Sequence, residues 1–293
     1  MKLSLIFGGY DESHEVLQQA AKHKWPHTGQ IIFNDYIVMK ANIIITSMVC
    51  LAAAAVVVGC GNQKKKAEAE KAAEQARLDS LKQVEMIEKQ KAAGDLMSRL
   101  PEEPVFDIVT SLGTIKVKLY SKTPKHRANF EKLALTGFYD SLLFHRVING
   151  FMIQGGDPYT RDTIMADKYG QGGPGYTIPA EFVPEYKHLK GALAAARRGD
   201  AANPAKESSG SQFYIVQDES TCAQLDGEYT VFGQTVDGFN VIDKIAAVQT
   251  NRRDRPVTDV RIISIKVDPE SMPADPAPAA DSTATSTDTT AKK

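Results

Sequence analysis

Residues 144–157 read FHRVINGFMIQGGD, and this stretch decides the fold of the chain. It belongs to two short apolar runs, Leu142–Ile148 and Phe151–Ile153, which have the length of strands rather than of helices. His145 and Arg146 are neighbours on the first run, so their side chains should face opposite sides of a strand. The stretch therefore predicts part of a sheet that presents one charged residue, Arg146, on a single face.

The flanking sequence adds further strands and two helices. Alternating apolar residues predict a hairpin of Phe106–Thr110 and Ile115–Leu119 around Ser111-Leu112-Gly113. One helix should begin at Pro124 after Thr123 as N-cap, and a second should cover about Phe239 to Val248. Other short strands are predicted at Ala192–Ala196, Gln212–Val216, Thr230–Phe232 and Val260–Val267. This pattern predicts a mainly β fold, a closed antiparallel eight-stranded barrel capped by two helices.

The composition limits the classes of protein to consider. The chain has 293 residues, of which 42% are hydrophobic, and its formal net charge is −1. The apolar content excludes wholesale disorder. Basic and acidic residues are also balanced within residues 103–268, so nothing there indicates a nucleic-acid partner. That part has the length of one domain, which we expect to be monomeric.

The segment before the domain contains an apolar run. From Ile43 to Cys60 the sequence carries no charge, and Met39-Lys40 precedes the run. Its end, Val57-Val58-Gly59-Cys60, resembles a bacterial lipobox, in which the cysteine becomes lipidated. We therefore predict a lipoprotein signal peptide over residues 39–59. An uncleaved transmembrane anchor and a buried core helix are the alternatives.

The predicted signal has consequences for the start and the location of the protein. Because a signal of ordinary length would begin at Met39, residues 1–38 are interpreted as a leader upstream of the true start. Lipid on Cys60 predicts attachment to a bacterial cell envelope through the membrane. No Asp follows Cys60, which favours the periplasmic face of the outer membrane.

Two low-complexity segments flank the domain. Residues 60–102 are rich in Ala, Lys, Glu, Gln and Leu, which favour a helix. Their apolar residues recur every three positions and sustain no heptad, so we predict a solvated helical spacer rather than a coiled-coil stalk. Residues 269–293 hold four prolines and many serines and threonines, which predicts a disordered tail.

FHRVINGFMIQGGD closely resembles the signature of the cyclophilin family of peptidyl-prolyl isomerases. The resemblance covers residues 103–268 and continues through GPGYTIPAEF (173–182), GALAAAR (191–197), GSQFYIV (210–216), LDGEYTVFG (225–233) and DRPVTDVRI (254–262). It implies prolyl cis–trans isomerase activity, with no cofactor or metal, on proline-containing unfolded or folding polypeptides. A non-catalytic peptide-binding chaperone on the same fold is the alternative.

The chemistry of prolyl isomerisation explains why an arginine matters. Rotation about a peptide bond faces a barrier of roughly 18–20 kcal/mol, because resonance stiffens the C–N bond. In the twisted state the prolyl nitrogen regains its lone pair, which a permanently charged guanidinium can stabilise by donating a hydrogen bond. The resemblance assigns this role to Arg146. It makes Gln154 the residue that binds the substrate backbone and orients Arg146.

The resemblance also implies a proline pocket. Its lining residues correspond to Phe151, Met152, Gln212, Tyr214 and Leu225. The carbonyl side of Ala196 would contact the residue before the proline. Tyr214 stands where the family usually has phenylalanine, a change that keeps the aromatic ring.

Three further positions depart from the family pattern. Arg197 stands where many relatives have an asparagine that bonds the substrate backbone, and arginine can still donate there. Tyr229 replaces a pocket histidine and keeps an aromatic face with a polar tip. Gln224 replaces a tryptophan, which should weaken cyclosporin binding more than catalysis. Two segments that look longer than in simple relatives, 158–169 and 198–209, should be loops near the groove.

Overall fold

A computed structural model describes residues 63–272 of the chain. The predicted leader, the signal peptide, Cys60 and the tail from residue 273 onward lie outside the described residues. The chain divides into two compact units between Glu85 and Met86, within helix α1 (Gln63–Met97). Helix α1 occupies the segment in which the composition predicts a helical spacer. In residues 63–272, we find no helix with the length and apolar character needed to cross a bilayer.

The second unit is built on an antiparallel sheet. Its nine strands are β1 (Val105–Thr110), β2 (Gly113–Leu119), β3 (Arg146–Ile148), β4 (Met152–Gly155), β5 (Thr177–Ile178), β6 (Ala192–Arg197), β7 (Ser208–Val216), β8 (Val231–Asp237) and β9 (Ile262–Val267). Hydrogen-bonded neighbours follow the order β3-β4-β7-β6-β8-β2-β1-β9, and β5 pairs with β7. The mainly β fold is confirmed, as is the hairpin, because β1 pairs with β2 around Ser111 and Leu112.

The predicted closed, eight-stranded barrel is wrong, because the sheet has nine strands and its path is open between β3 and β9. These two edges meet through an isolated bridge, Leu143–Arg261, and through single hydrogen bonds such as Val147 N to Asp254 O (2.7 Å). Between these contacts residues 255–257 pair with residues 249–251 of their own loop instead, through a bridge of Thr250 with Pro256 and a bond from Val257 N to Gln249 O (2.8 Å). The sheet is therefore an open half-barrel.

The inner side of the sheet and two helices enclose the main core. Phe106 and Ile108 of β1 are fully buried and alternate with partly exposed residues, as the sequence predicts. Helix α2 (Pro124–Leu135) contributes Phe130, which packs edge-on against Phe106 and Phe213 at 5.8 Å. The other main helix is α4 (Phe239–Ala246), and a short helix, α3 (Glu219–Cys222), follows β7.

The start of α2 differs from the sequence prediction in one detail. Thr123 holds the N-cap position, but its hydroxyl donates to Tyr120 O at 3.4 Å and does not accept from the helix. The distant carboxylate of Glu181 accepts instead from the N–H groups of Lys125 (3.0 Å) and His126 (2.9 Å). A negative charge is favourable at the free N–H groups of a helix start. The distant Glu181 therefore takes the place of an N-cap side chain in α2.

Candidate active site

Arg146 is the first residue of β3 and faces outward. Its side chain is 43% exposed, whereas the preceding His145 is only 6% exposed. The two side chains therefore differ in burial as strand alternation predicts. The guanidinium Nε lies 3.6 Å from Oδ2 of Asp254, so the site holds an arginine that is charged, accessible and restrained on one side.

The strand register brings site residues into one row. Arg146 of β3 lies opposite Gln154 of β4, Gln154 lies opposite Tyr214 of β7, and Tyr214 lies opposite Ala194 of β6. Residues that lie directly opposite each other on neighbouring strands project on the same face of a sheet. The row therefore places the guanidinium, an amide and an aromatic ring side by side.

Gln154 and Gln212 extend the polar part of this row. Gln154 Nε2 donates to Gln212 Oε1 at 3.0 Å. Gln212 Nε2 in turn donates to the carbonyls of Gly170 (3.0 Å) and Gly172 (2.7 Å). These bonds fix the amide orientation of Gln212, so that its oxygen faces Gln154. Arg146, Gln154 and Gln212 are called the polar arm below.

Asp157, the last residue of the signature stretch, holds the loop that carries those carbonyls. Its buried carboxylate accepts from the N–H of Gly172 at 3.3 Å and from the N–H of Gly170. The intervening segment, predicted as an unusually long loop, forms two 3-10 turns, Pro158–Arg161 and Thr163–Lys168. The Arg255 guanidinium lies over the Tyr169 ring at 4.4 Å, which joins this segment to the loop of Asp254 beside Arg146.

Six of the eight predicted substrate-binding residues pack in one apolar cluster. It contains the buried side chains of Met152, Ala196 and Tyr214, and the partly buried side chains of Phe151, Leu225 and Tyr229. The ring of Tyr229 stands edge-on to that of Tyr214, with centroids 6.0 Å apart. These six residues are called the pocket cluster. Because Tyr214 also belongs to the row, the cluster adjoins the polar arm.

Arg197 lies behind Tyr229. Its side chain is only 4% exposed, and its Cζ lies 4.4 Å from the centroid of the Tyr229 ring. Nε donates to Glu228 O at 2.9 Å, Nη2 contacts Glu228 Oε2 at 3.3 Å, and Nη1 pairs with Asp200. These contacts use its donors within the protein, so a bond from Arg197 to substrate stays a prediction. The segment 198–209 is a loop only up to Glu207, because β7 begins at Ser208.

Sequence reasoning missed two residues behind the pocket. The Tyr214 hydroxyl lies 2.9 Å from His188 Nε2, and His188 Nδ1 lies 2.8 Å from Asp226 Oδ1. Burial lowers the pKa of His188 and raises that of Tyr214. The burial of Asp226 acts to raise its pKa, but hydrogen bonds from His188 outweigh this effect and hold that pKa below its usual range. The hydroxyl of Tyr214 in an apolar strand was the available signal, since a buried hydroxyl needs a partner.

The loop beside Arg146 was also missed. Asp254 has a φ of +58°, in the left-handed region that most residues avoid. Asn251 builds this turn, because its Oδ1 accepts from the N–H of Arg253 at 2.9 Å and its N–H donates to Arg255 O at 2.8 Å. The turn directs Asp254 toward Arg146. Asparagine and aspartate are common in such turns, which was the only local signal.

The remaining predictions concern Gln224, metal binding and the cysteines. Gln224 is exposed, and its Nε2 donates to Thr221 O at 3.1 Å; the expected weak cyclosporin binding stays a prediction. Within residues 63–272, His, Cys, Asp and Glu side chains form no cluster of three or more placed to hold a metal. Cys222 is buried, which raises the pKa of its thiol to about 11. The predicted lipidation site, Cys60, lies outside the described residues.

Comparison with known proteins identifies the family. The profile described as "Cyclophilin type peptidyl-prolyl cis-trans isomerase/CLD" matches residues 105–267, which is more than half of the chain. The chain therefore belongs to the family of cyclophilin-type peptidyl-prolyl cis-trans isomerases. The expected enzyme class, a peptidyl-prolyl cis-trans isomerase, is confirmed.

Individual relatives agree with this assignment over the same part of the chain. The "Peptidyl-prolyl cis-trans isomerase-like 1" of Aspergillus fumigatus is 39% identical over 165 residues, covering 56% of this chain and 93% of that protein. The "Peptidyl-prolyl cis-trans isomerase-like 2" of Rhizopus delemar is 39% identical over 167 residues, but the match spans only 29% of that longer protein. A crystal structure of a Cryptosporidium parvum cyclophilin-type isomerase superposes with a TM-score of 0.50 at 32% identity, covering 57% of this chain and 98% of that one.

Proposed function

We propose that this protein catalyses rotation about X–Pro peptide bonds in exported polypeptides, without a covalent intermediate, and that Arg146 stabilises the twisted prolyl amide. The observation that carries the proposal is the row of Arg146, Gln154 and Tyr214 across β3, β4 and β7. It sets an accessible guanidinium next to an apolar cluster that can receive a proline ring.

The polar arm and the pocket cluster would have different roles in catalysis. The pocket cluster removes the prolyl ring from water and fixes one side of the rotating bond. Gln154 binds the substrate backbone, and Arg146 donates to the prolyl nitrogen once its lone pair is released. No proton is transferred, because the guanidinium keeps its charge throughout.

The test is the isomerisation of a peptide with a central Ala-Pro bond. For Arg146→Ala we expect kcat to fall about 100-fold with little change in KM, the scale of one lost donor to a transition state. Arg253→Ala is the matched control, because its side chain is 79% exposed on the neighbouring turn. A wild-type kcat in Arg146→Ala would show that the mechanism is wrong. A wild-type protein that suppresses aggregation without isomerase activity would support the chaperone alternative.

We also propose that lipid on Cys60 anchors the protein to a bacterial cell envelope, on the periplasmic face of the outer membrane. The support is the uncharged run from Ile43 and the small residues before Cys60. Lipoprotein processing adds several acyl chains, which hold a protein at a membrane much more firmly than a single chain. The relatives reported above come from eukaryotes, so this proposal rests on residues 39–60 alone.

Membrane fractionation of the full chain tests the anchor. Cys60→Ser should release the protein from the membrane fraction or leave an unprocessed precursor. Cys50→Ser is the control, because Cys50 lies in the same apolar run and should leave with the signal peptide. Firm attachment of a fully processed Cys60→Ser protein would contradict a lipid anchor.

A further inference from the structure

Tyr214 of the pocket cluster takes part in a buried series of hydrogen bonds. Tyr214 is 4% exposed, and its hydroxyl oxygen lies 2.9 Å from Nε2 of His188. The His188 side chain is fully buried, and its Nδ1 lies 2.8 Å from Asp226 Oδ1, which also accepts from the His188 backbone N–H at 2.9 Å. Asp226 directly follows Leu225, another member of the cluster. These hydrogen bonds therefore connect Tyr214 with the segment of Leu225, so they link two parts of the pocket cluster from its buried side.

The chemistry of the three groups fixes the direction of the bonds. An ionised carboxylate can only accept, so His188 Nδ1 carries a hydrogen and donates to Asp226. In a neutral imidazole the other nitrogen then accepts, and Tyr214 donates its hydroxyl hydrogen to Nε2. The rings of His188 and Tyr214 are also nearly parallel, at 10° with centroids 6.0 Å apart. Contacts at both ends thus determine the tilt of the Tyr214 ring.

We propose that His188 is a positioning residue for the proline pocket and that it acts through the Tyr214 hydroxyl. The inference rests on the proposed isomerase function of the same site. His188 does not reach the pocket surface itself. It holds the aromatic wall that Tyr214 presents to the prolyl ring.

Protonation of His188 leaves its hydrogen bond to Tyr214 in place. A charged imidazole carries hydrogens on both nitrogens, so Nε2 then donates to the Tyr214 hydroxyl oxygen, and the bond reverses its direction without being lost. On the His188 side the charged groups are Asp226 and Lys187, whose Nζ lies 3.5 Å from Asp226 Oδ2. The titratable and charged groups around Tyr214 on its other sides are Tyr229, Cys222 and Arg197. Burial lowers the pKa of His188, so at neutral pH the neutral ring accepts from the Tyr214 hydroxyl.

Two variants break the same hydrogen bond from opposite sides. Tyr214→Phe removes only the hydroxyl and leaves His188 Nε2 without its partner. His188→Asn keeps an amide near Asp226 but is too short to reach Tyr214. For each we expect KM for an Ala-Pro peptide, and the Kd of a non-turnover proline peptide, to rise about five-fold with kcat nearly unchanged, the scale of one lost buried hydrogen bond. The double variant should be no worse than the weaker-binding single variant.

His126→Asn is the matched control. His126 contacts Glu181 through its backbone N–H and its Nδ1, at 2.9 and 2.6 Å, much as His188 contacts Asp226. Because His126 lies outside the pocket cluster, this variant should lower thermal stability and leave KM at the wild-type value.

The outcomes separate this inference from the proposed function. An active enzyme whose Tyr214→Phe variant keeps the wild-type KM, or whose two single variants add fully in the double variant, would overturn it. A wild-type protein without isomerase activity would defeat the proposed function instead, and the peptide Kd values would still test the role of His188. Because Tyr214→Phe keeps the packed ring, a folding failure of His188→Asn leaves the test intact.

Discussion

The polar arm and the pocket cluster lie side by side on the same strands, but the protein holds them differently. Arg146 is 43% exposed, and the carboxylate that restrains it, Asp254, is 44% exposed. In contrast, Met152 and Tyr214 are almost fully buried, and His188 supports Tyr214 from behind. The arm therefore places a charged group at the water boundary, whereas Met152 and Tyr214 of the pocket cluster belong to the interior.

This difference predicts which kinetic constant each of the two regions affects. A charge that acts on the prolyl nitrogen only in the twisted state should affect kcat. An apolar wall contacts the proline ring in both the ground state and the twisted state, so it should affect mainly KM. Gln212 is the exception within the arm, because it is 6% exposed and acts more like a core residue.

Gln212→Glu should have the largest effect, and it tests that exception. The substitution keeps the shape but replaces a donor to two carbonyls, Gly170 O and Gly172 O, with a buried negative charge. We expect the free energy of unfolding to fall by about 3 kcal/mol at neutral pH, measured by urea denaturation. The loss should shrink in acid, where the new carboxyl is protonated. Gln224→Glu, at an exposed glutamine, is the control, and an equal loss there would refute the explanation.

The second prediction concerns the residue behind Arg146. Burial lowers the pKa of His145 to about 4, whereas the unfolded chain should titrate near 6.5. The unfolded state therefore binds more protons below pH 6.5, and stability present above that pH is lost as pH falls toward 4. His145 should account for a loss of about 2 kcal/mol between pH 6.5 and 5. The free energy of unfolding of His145→Leu should fall less steeply with decreasing pH than that of wild type. An equally steep fall would show that other groups cause the loss of stability in acid.

Phe151→Ala should separate the pocket from the arm. Loss of this partly buried ring removes apolar contact with the prolyl side chain, so KM should rise about ten-fold while kcat changes much less. Phe239→Ala, at the start of α4 and outside the pocket cluster, should leave KM unchanged. A fall in kcat at constant KM in Phe151→Ala would contradict the division of roles described above.

Most of the strands and the individual site residues could be predicted from the sequence, because the strands follow from local alternation and the residues from a long signature. Strand periodicity alone places Arg146 and His145 on opposite faces. What could not be predicted depends on contacts between distant segments. Glu181 satisfies the start of α2 from 55 residues away, and the sheet stays open because the distant edges at β3 and β9 meet through a bridge and single hydrogen bonds instead of a ladder. No local pattern indicates which remote residue will meet a helix end or a strand edge.

Asp254→Asn should have the smallest effect and gives the finest test of how the arm is held. Asparagine tolerates the left-handed φ of +58°, so the turn built by Asn251 should survive while the charge next to Arg146 disappears. An ion pair between two half-exposed side chains contributes less than about 1 kcal/mol, so we expect kcat to fall about three-fold with KM unchanged. Added salt should lower the wild-type kcat toward that of the variant, because ions screen an exposed pair. If KM changes instead, or if salt has no effect on wild type, then Asp254 does not align Arg146 and the arm is held by its strand alone.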